Sequence, residues 1–103
     1  MSQASEQAVL DAVPDGLLVG GGWRPAASGK TFDVHDPATG AVIRTVADGG
    51  VEDGAAALDA AVEAGPAWAR TAPRVRGEVL RRAFDLLQQR RDEIALLMTL
   101  EMG

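Results

Sequence analysis

The sequence predicts a mixed α/β fold in which two antiparallel β-hairpins precede two or three α-helices. Residues 31–46 contain two short apolar runs separated by turn-forming residues. Upstream of them, three consecutive glycines separate another pair of short segments. From residue 51 onward, apolar residues recur at helical spacing. The strands therefore come first and the helices follow.

The turn between the two later strands carries the clearest local signal. Phe32 and Val34 lie two residues apart, so they share one face of the first strand. Residues 36–40 are Asp-Pro-Ala-Thr-Gly, in which Pro fixes φ for a type I turn, Asp can bond its own backbone and Gly can take a positive φ. A second apolar run, from Val42 to Val46, then predicts the returning strand.

The glycine run lies between Leu17–Val19 and Trp23–Pro25, which predicts the first hairpin. A phosphate-binding loop is the alternative interpretation of three glycines. However, Pro25 occupies the last glycine position of the G-x-G-x-x-G pattern, and the Walker Lys-Ser/Thr pair is absent. We therefore favour a turn.

A helix is predicted to start at Val51, with acidic residues in its first turn, where the helix dipole favours them. Pro66 removes a backbone donor, so we expect a break or kink at Gly65-Pro66. The predicted buried stripe of this helix is Leu58, Ala61, Val62, Gly65 and Trp68.

The next helix is predicted to begin with Thr71 or Ala72 at its cap and Pro73 in its first turn. Its predicted buried face comprises Val75, Val79, Leu80, Ala83, Phe84 and Leu87. Residues 90–93 mark either a bend or the start of a third helix that extends to residue 101.

Composition and length limit the chain to one small soluble domain. It has 103 residues, 47% of them apolar and 24% charged. Residues 1–16 are polar, and we expect a flexible tail there with at most one helical turn near residues 7–13. Residues 17–103 are expected to form the folded part.

The charge pattern argues against a nucleic-acid partner, because the net charge is −5. Six arginines and four acidic residues alternate within residues 74–93, which favours a solvated helix face over a binding stripe. No basic leader and no apolar run of membrane-spanning length is present, so we expect a cytoplasmic protein without a membrane partner. There is no Cys, which excludes disulfides and thiolate sites in these residues.

The motifs follow one another in a fixed order. The first is LLVGGGWRPAASGKTFDVHDPATGAVIRTVADG, and an Ala-rich helix with Trp, a basic helix and a final TLEMG come after it. This order resembles the amino-terminal part of the NAD(P)-dependent aldehyde dehydrogenases. The resemblance runs from Leu17 to Gly103 and is greatest for the succinate-semialdehyde dehydrogenases. It implies a truncated piece of a larger α/β nucleotide-binding domain. The parent would oxidise succinate semialdehyde, or another small aldehyde, with NAD or NADP, and would form a homodimer or homotetramer.

The resemblance also implies which residues are absent. The family supplies its Cys nucleophile, its general-base Glu and its dinucleotide-contacting segments from sequence that would follow Gly103, and members have a Lys directly after that Gly. No catalytic or cofactor-binding residue is therefore assigned to residues 1–103, and we expect the chain alone to be inactive and to bind neither NAD nor NADP. The alternative is a non-catalytic interaction or regulatory module derived from the same family.

Few side chains in this chain suggest chemistry of their own. His35 is the only histidine and has no partner for a relay, so a structural role is favoured over a catalytic one. Asp33, Asp36 and Asp48 could suggest a cation site, but each also fits a turn or a strand end.

Glu101 is the remaining candidate. In some aldehyde dehydrogenases an acidic residue at this motif position joins backbone carbonyls in binding a monovalent cation, and by motif those carbonyls belong here to Val34 and His35. Backbone hydrogen bonding or plain exposure of Glu101 is the alternative.

Overall fold

The computed structural model describes residues 3–103, which form four α-helices and four β-strands. In chain order these are α1 (Gln3–Asp11), β1 (Leu17–Val19), β2 (Gly22–Arg24), β3 (Thr31–His35), β4 (Val42–Ala47), α2 (Val51–Arg70), α3 (Pro73–Gln89) and α4 (Arg91–Met102). The strands make two separate antiparallel pairs, β1 with β2 and β3 with β4. None of the helices in this described range is both long and apolar enough to cross a membrane.

The first hairpin confirms the turn predicted at the glycine run. Leu17 pairs with Arg24 and Val19 with Gly22, which leaves two residues in the loop. These are Gly20 and Gly21, with φ of 61° and 82°. Two consecutive positive φ angles are what the common two-residue hairpin turn requires, and glycine adopts them without steric cost.

The second hairpin is also confirmed. Phe32 pairs with Val46, and the register shifts between Val34 and His35. In the turn, the Asp36 carbonyl accepts a hydrogen bond from Gly40 N at 2.7 Å, and the Asp36 carboxylate accepts one from the Ala38 backbone at 2.9 Å. The turn therefore forms from the local bonds that its sequence predicts.

The break expected at Gly65-Pro66 is absent, because α2 continues through Pro66 to Arg70. Proline removes the hydrogen bond to the carbonyl four residues earlier and its ring crowds that carbonyl, and it also crowds the Cβ and N–H of the preceding residue. That residue is Gly65, which has no Cβ. The helix therefore tolerates the proline and ends at Thr71, whose backbone N–H still bonds the carbonyls of Ala67 and Trp68.

Helix α3 begins with Pro73 at its first position, as predicted, and α4 is the predicted third helix. The expectation of a buried face on α3 is wrong for this chain, because no residue of α3 is buried. Val75 is 45% exposed and Leu80 is 67% exposed. The apolar pattern of α3 is present, but residues 3–103 provide nothing large enough to cover it.

The main core cluster joins the two ends of the chain. Leu10 of α1 packs with Leu96 and Leu100 of α4, and the partly buried Val9, Ile43 and Leu97 surround them. The guanidinium of Arg44 donates to the carbonyls of Leu10 at 2.9 Å and Val13 at 2.6 Å. It thereby adds a second donor to the Leu10 carbonyl, which also accepts a hydrogen bond from Val13 N at 3.2 Å, and it supplies a donor to the Val13 carbonyl.

The amino-terminal segment therefore differs from the expected tail. It is helical from Gln3 to Asp11, which is more than the single turn near residues 7–13 that the sequence suggested. The reason is tertiary, because Leu10 gains a buried site only when α4 and β4 are already beside it.

The chain as a whole is flat and open. Its Cα extents are 48 × 35 × 17 Å and its radius of gyration is 16.9 Å, whereas a compact chain of this length has about 13 Å. Its accessible surface is 7709 Å², whereas a compact monomer of this mass exposes about 5,500 Å². Residues 1–103 therefore leave far more surface uncovered than a self-contained domain does.

Candidate functional site

The carboxyl end of α4 lies against the turn of the second hairpin. A Cβ placed on Gly103 would lie 3.0 Å from Ala38 N and 3.3 Å from the Pro37 Cβ. Gly103 has a φ of 82°, and its N–H bonds the Thr99 carbonyl at 2.9 Å. A glycine with positive φ is the usual way for a helix to end. Here it also allows the backbone of α4 to approach the turn closely.

The three residues proposed to bind a cation lie on these two elements. Val34 is half-buried and His35 exposed at the end of β3, and Glu101 is exposed in the last turn of α4. The register shift of the β3–β4 pair falls between Val34 and His35, and such irregularities leave backbone groups without strand partners. The structure thus brings the helix end to the hairpin, while the cation site itself stays a prediction.

Side chains alone do not make a metal site in the part of the chain that the structure describes. Residues 3–103 contain no group of three or more His, Asp or Glu side chains placed to hold a metal ion. Any ion near Glu101 would therefore depend on backbone carbonyls, which hard cations accept as ligands.

Asp53 is a positioning residue that the sequence analysis did not single out. It is the buried acidic residue of the described chain, 6% exposed, although it lies in the first turn of α2. Its carboxylate accepts hydrogen bonds from Gly50 N at 2.9 Å and from Ala27 N at 3.0 Å. The first bond is one half of a capping box, which an acidic residue three positions after the cap could have indicated. The second joins α2 to the segment between the hairpins.

The environment of Asp53 favours its charged form. The backbone hydrogen bond from Gly50 lowers the pKa of the carboxyl most, followed by the bond from Ala27 and the positive charge of Arg24, while desolvation acts in the opposite direction. The pKa of Asp53 in the folded state lies below its ordinary value of 3.8. The Asp53 carboxylate therefore stabilises the fold at pH values above 3.8. The stabilisation is lost as the pH falls through the folded-state pKa.

Replacing Asp53 with alanine should therefore lower stability at neutral pH, because Gly50 N and Ala27 N both lose their acceptor. We expect amide hydrogen exchange at the start of α2 and around Ala27, measured by mass spectrometry on dilute protein at pH 7, to accelerate by about fivefold. The difference in exchange between the variant and the parent should shrink as the pH is lowered below 3.8. Glu52→Ala, at the exposed neighbouring position, is the control and should change the exchange little. A pH-independent difference would contradict this role for the carboxylate.

Comparison with known proteins places this arrangement in a family. The model of the aldehyde dehydrogenase family matches residues 23–103. Succinate-semialdehyde dehydrogenase of Paenarthrobacter nicotinovorans is 60% identical over 62 residues, which is 60% of this chain and 14% of that protein.

Solved structures agree with the sequence matches. Succinate-semialdehyde dehydrogenase of Burkholderia pseudomallei superposes with a TM-score of 0.77 at 40% identity, over 80% of this chain and 17% of that one. Betaine aldehyde dehydrogenase of Staphylococcus aureus, in complex with NAD⁺, superposes with a TM-score of 0.90 at 29% identity, over 95% of this chain and 20% of that one.

The present chain thus spans between about one seventh and one fifth of the length of these relatives. Its two hairpins and its helices match the amino-terminal part of the aldehyde dehydrogenase fold, which confirms the predicted fold class. The order of strand, turn and helix motifs and the superposition lead to the same conclusion. The chain belongs to the aldehyde dehydrogenase family.

Proposed function

We propose that residues 1–103 form the amino-terminal part of an enzyme that oxidises succinate semialdehyde to the acid with NAD or NADP. The observation that carries this proposal is the 60% identity, over 62 residues, to a protein named succinate-semialdehyde dehydrogenase. The proposed assembly of the whole enzyme is a homodimer or homotetramer, as the resemblance implies. Residues 17–103 would be the portion that carries the family's motifs, and residues 1–16, which include α1, would precede it.

Aldehyde oxidation needs a nucleophile, a general base and a nicotinamide that accepts the hydride. The chain has no Cys to serve as the family's nucleophile. The glycine run forms a hairpin turn followed by a strand, and not a helix start that could bind a pyrophosphate. The residues present therefore do not fit a dinucleotide site. In this proposal, they support the fold and the remainder of the enzyme carries the chemistry.

The two parts of this proposal predict opposite results in one assay. Purified residues 1–103 should give no NADH or NADPH formation above background with succinate semialdehyde, and no saturable binding of either cofactor. The reading frame that contains these residues, expressed from its first to its last codon, should oxidise the aldehyde. Absorbance at 340 nm measures both. Turnover by the short chain, or an inactive product of the whole frame, would contradict the proposal.

We also propose that Glu101 and the carbonyls of Val34 and His35 hold a monovalent cation in the whole enzyme. The support is the contact of Gly103 with the hairpin turn and the register shift at Val34. Glu101→Gln should then remove the difference in activity between KCl and choline chloride, because the compensating charge is lost. Glu93→Gln, an exposed change in the first turn of the same helix, should preserve that difference. An unchanged cation response in Glu101→Gln would disprove the site.

A further inference from the structure

Three Asp-Gly pairs occur in the sequence, at residues 15–16, 48–49 and 53–54. In such a pair the backbone nitrogen of the glycine can attack Cγ of the aspartate side chain. The new C–N bond closes a succinimide ring, and the side-chain hydroxyl leaves as water together with the amide proton. Glycine favours this reaction because it has no Cβ to hinder the approach. The sequence does not distinguish the three pairs, because each contains the same two residues.

The fold protects the pair at Asp53. Gly54 lies inside α2, and its N–H donates a hydrogen bond to the Gly50 carbonyl at 3.0 Å. The Asp53 carboxylate accepts hydrogen bonds from Gly50 N and Ala27 N. These two bonds lower the pKa of the carboxyl, whereas loss of its hydroxyl as water requires the protonated acid. Both reacting groups of this pair are therefore already engaged.

The pair at Asp15 is held by its backbone. The Asp15 carbonyl accepts a hydrogen bond from Ala47 N at 2.8 Å. That carbonyl and the nitrogen of Gly16 belong to one planar peptide group, so the bond also restrains the nitrogen. Gly16 is closely packed as well, because a Cβ placed on it would lie only 2.7 Å from the Arg24 carbonyl oxygen. Rotation of this peptide group towards the Asp15 side chain would therefore break a hydrogen bond and disturb close contacts.

The pair at Asp48 has the freedom that the other two lack. Asp48 and Gly49 are exposed and lie between β4 and α2, outside both elements. Asp48 N donates to the Lys30 carbonyl at 2.9 Å, which fixes the peptide group before Asp48. The next peptide group, which carries Gly49 N, makes no hydrogen bond to another residue of the described range 3–103. A Cβ on Gly49 would meet only side-chain atoms, at 3.4 Å or more. This nitrogen can therefore turn towards Cγ of Asp48 without losing a bond.

We propose that Asp48 is the residue at which this chain forms isoaspartate, through a succinimide with Gly49 N. Water opens the ring at one of its two carbonyls. Attack at Cγ restores aspartate, whereas attack at the former backbone carbonyl leaves the chain running through Cβ and Cγ and makes the α-carboxylate the side group. The water released in the first step is consumed in the second, so the change is an isomerisation that needs no other reactant.

The product would alter contacts on both sides of the link between β4 and α2. Before the link, Asp48 N is bonded to the Lys30 carbonyl at 2.9 Å. After it, the Asp53 carboxylate accepts the bond from Ala27 N at 3.0 Å. Both partners lie in the segment between the two hairpins. Isoaspartate adds one carbon to the backbone between these two contacts, so we expect the start of α2 to shift and the bond from Ala27 to be lost.

Ageing of dilute residues 1–103 at pH 7 in water enriched in heavy oxygen tests the proposal, because each ring opening leaves one heavy oxygen in the product. Peptide mapping by mass spectrometry locates the label and separates isoaspartyl from aspartyl peptides. Asp48 should carry at least about fivefold more isoaspartate than Asp15 or Asp53, since each of those pairs must first lose a hydrogen bond. In urea the three pairs should react at similar rates. Equal rates in the folded chain would overturn the proposal.

Two matched glycine substitutions provide the control. Gly49→Ala should reduce isoaspartate at Asp48 at least about fivefold, because a Cβ then hinders the attacking nitrogen. Gly54→Ala adds the same methyl group to α2, where nothing lies within 4 Å of it, and should leave the yield at Asp48 unchanged. Equal effects of the two substitutions would contradict attack by Gly49 N. In the isoaspartyl fraction, separated by ion-exchange chromatography, amide hydrogen exchange at Ala27 should be faster than in the unmodified fraction, and unchanged exchange there would overturn the predicted shift of α2.

Discussion

Purified residues 1–103 are expected to form oligomers or aggregates and to bind hydrophobic dyes strongly. Helices α2 and α3 leave large apolar side chains in water, including Val62 at 67% and Leu80 at 67% exposure. Monomeric proteins seldom expose apolar patches of more than a few hundred Å². Dye binding without a cooperative unfolding transition is typical of loosely packed states. Light scattering, dye fluorescence and thermal unfolding measure the three parts of this prediction.

A pair of substitutions tests the cause of this association. Val62→Asp combined with Val79→Asp should shift the chain towards the monomer, because a charge then interrupts the exposed apolar surface of α2 and that of α3. Gln88→Asp adds one charge on the polar side of α3 and should not change the distribution of sizes. A clean monomer of the unsubstituted chain with a sharp unfolding transition would contradict this prediction.

Leu96→Ala should cause the largest loss of stability among single substitutions in this chain. Leu96 is 4% exposed and contacts the cluster that holds α1, β4 and α4 together. Truncating a buried leucine removes transfer free energy and leaves a cavity, which costs about 2–4 kcal/mol. Among the described residues, few other large side chains are buried, so little remains to compensate.

Amide hydrogen exchange measured by mass spectrometry on dilute protein gives the site of this loss. In Leu96→Ala, exchange should accelerate in α1 and α4. Leu80→Ala is the matched control, because Leu80 is 67% exposed and such surface changes usually alter stability by about 0.5 kcal/mol or less. Equal effects of the two substitutions would mean that the cluster of Leu10, Leu96 and Leu100 does not hold the ends of the chain together.

The turns and most helix ends could be predicted from sequence because their causes are local. The Asp36 turn closes with bonds to residues two and four positions away. The glycine turn depends on the φ of Gly20 and Gly21 alone, and Pro73 fixes the first residue of α3. In each case the residues that determine the geometry are the residues that adopt it.

The candidate site was predictable only in part. The resemblance located Glu101, Val34 and His35, and the structure brings the end of α4 to the turn that follows β3. The sequence could not indicate the role of Asp53 in joining α2 to Ala27, because the two residues lie 26 positions apart. A carboxylate in a first helical turn is common, and only the folded chain determines which amide it meets.

What the sequence by itself determined is the order of strands and helices, the turn types and the presence of apolar stripes. Which side of a helix meets the rest of the chain was decided by tertiary structure. Periodicity predicted Leu58 and Val62 of α2 as core, but the hairpin packs on the alanine side of that helix. The continuation of α2 through Pro66 and the docking of α1 through Leu10 were likewise decided at that level. The physical reason is that apolar burial is non-directional. An apolar stripe on a helix predicts only that some surface should cover it. Which element covers it depends on what the fold places beside that helix.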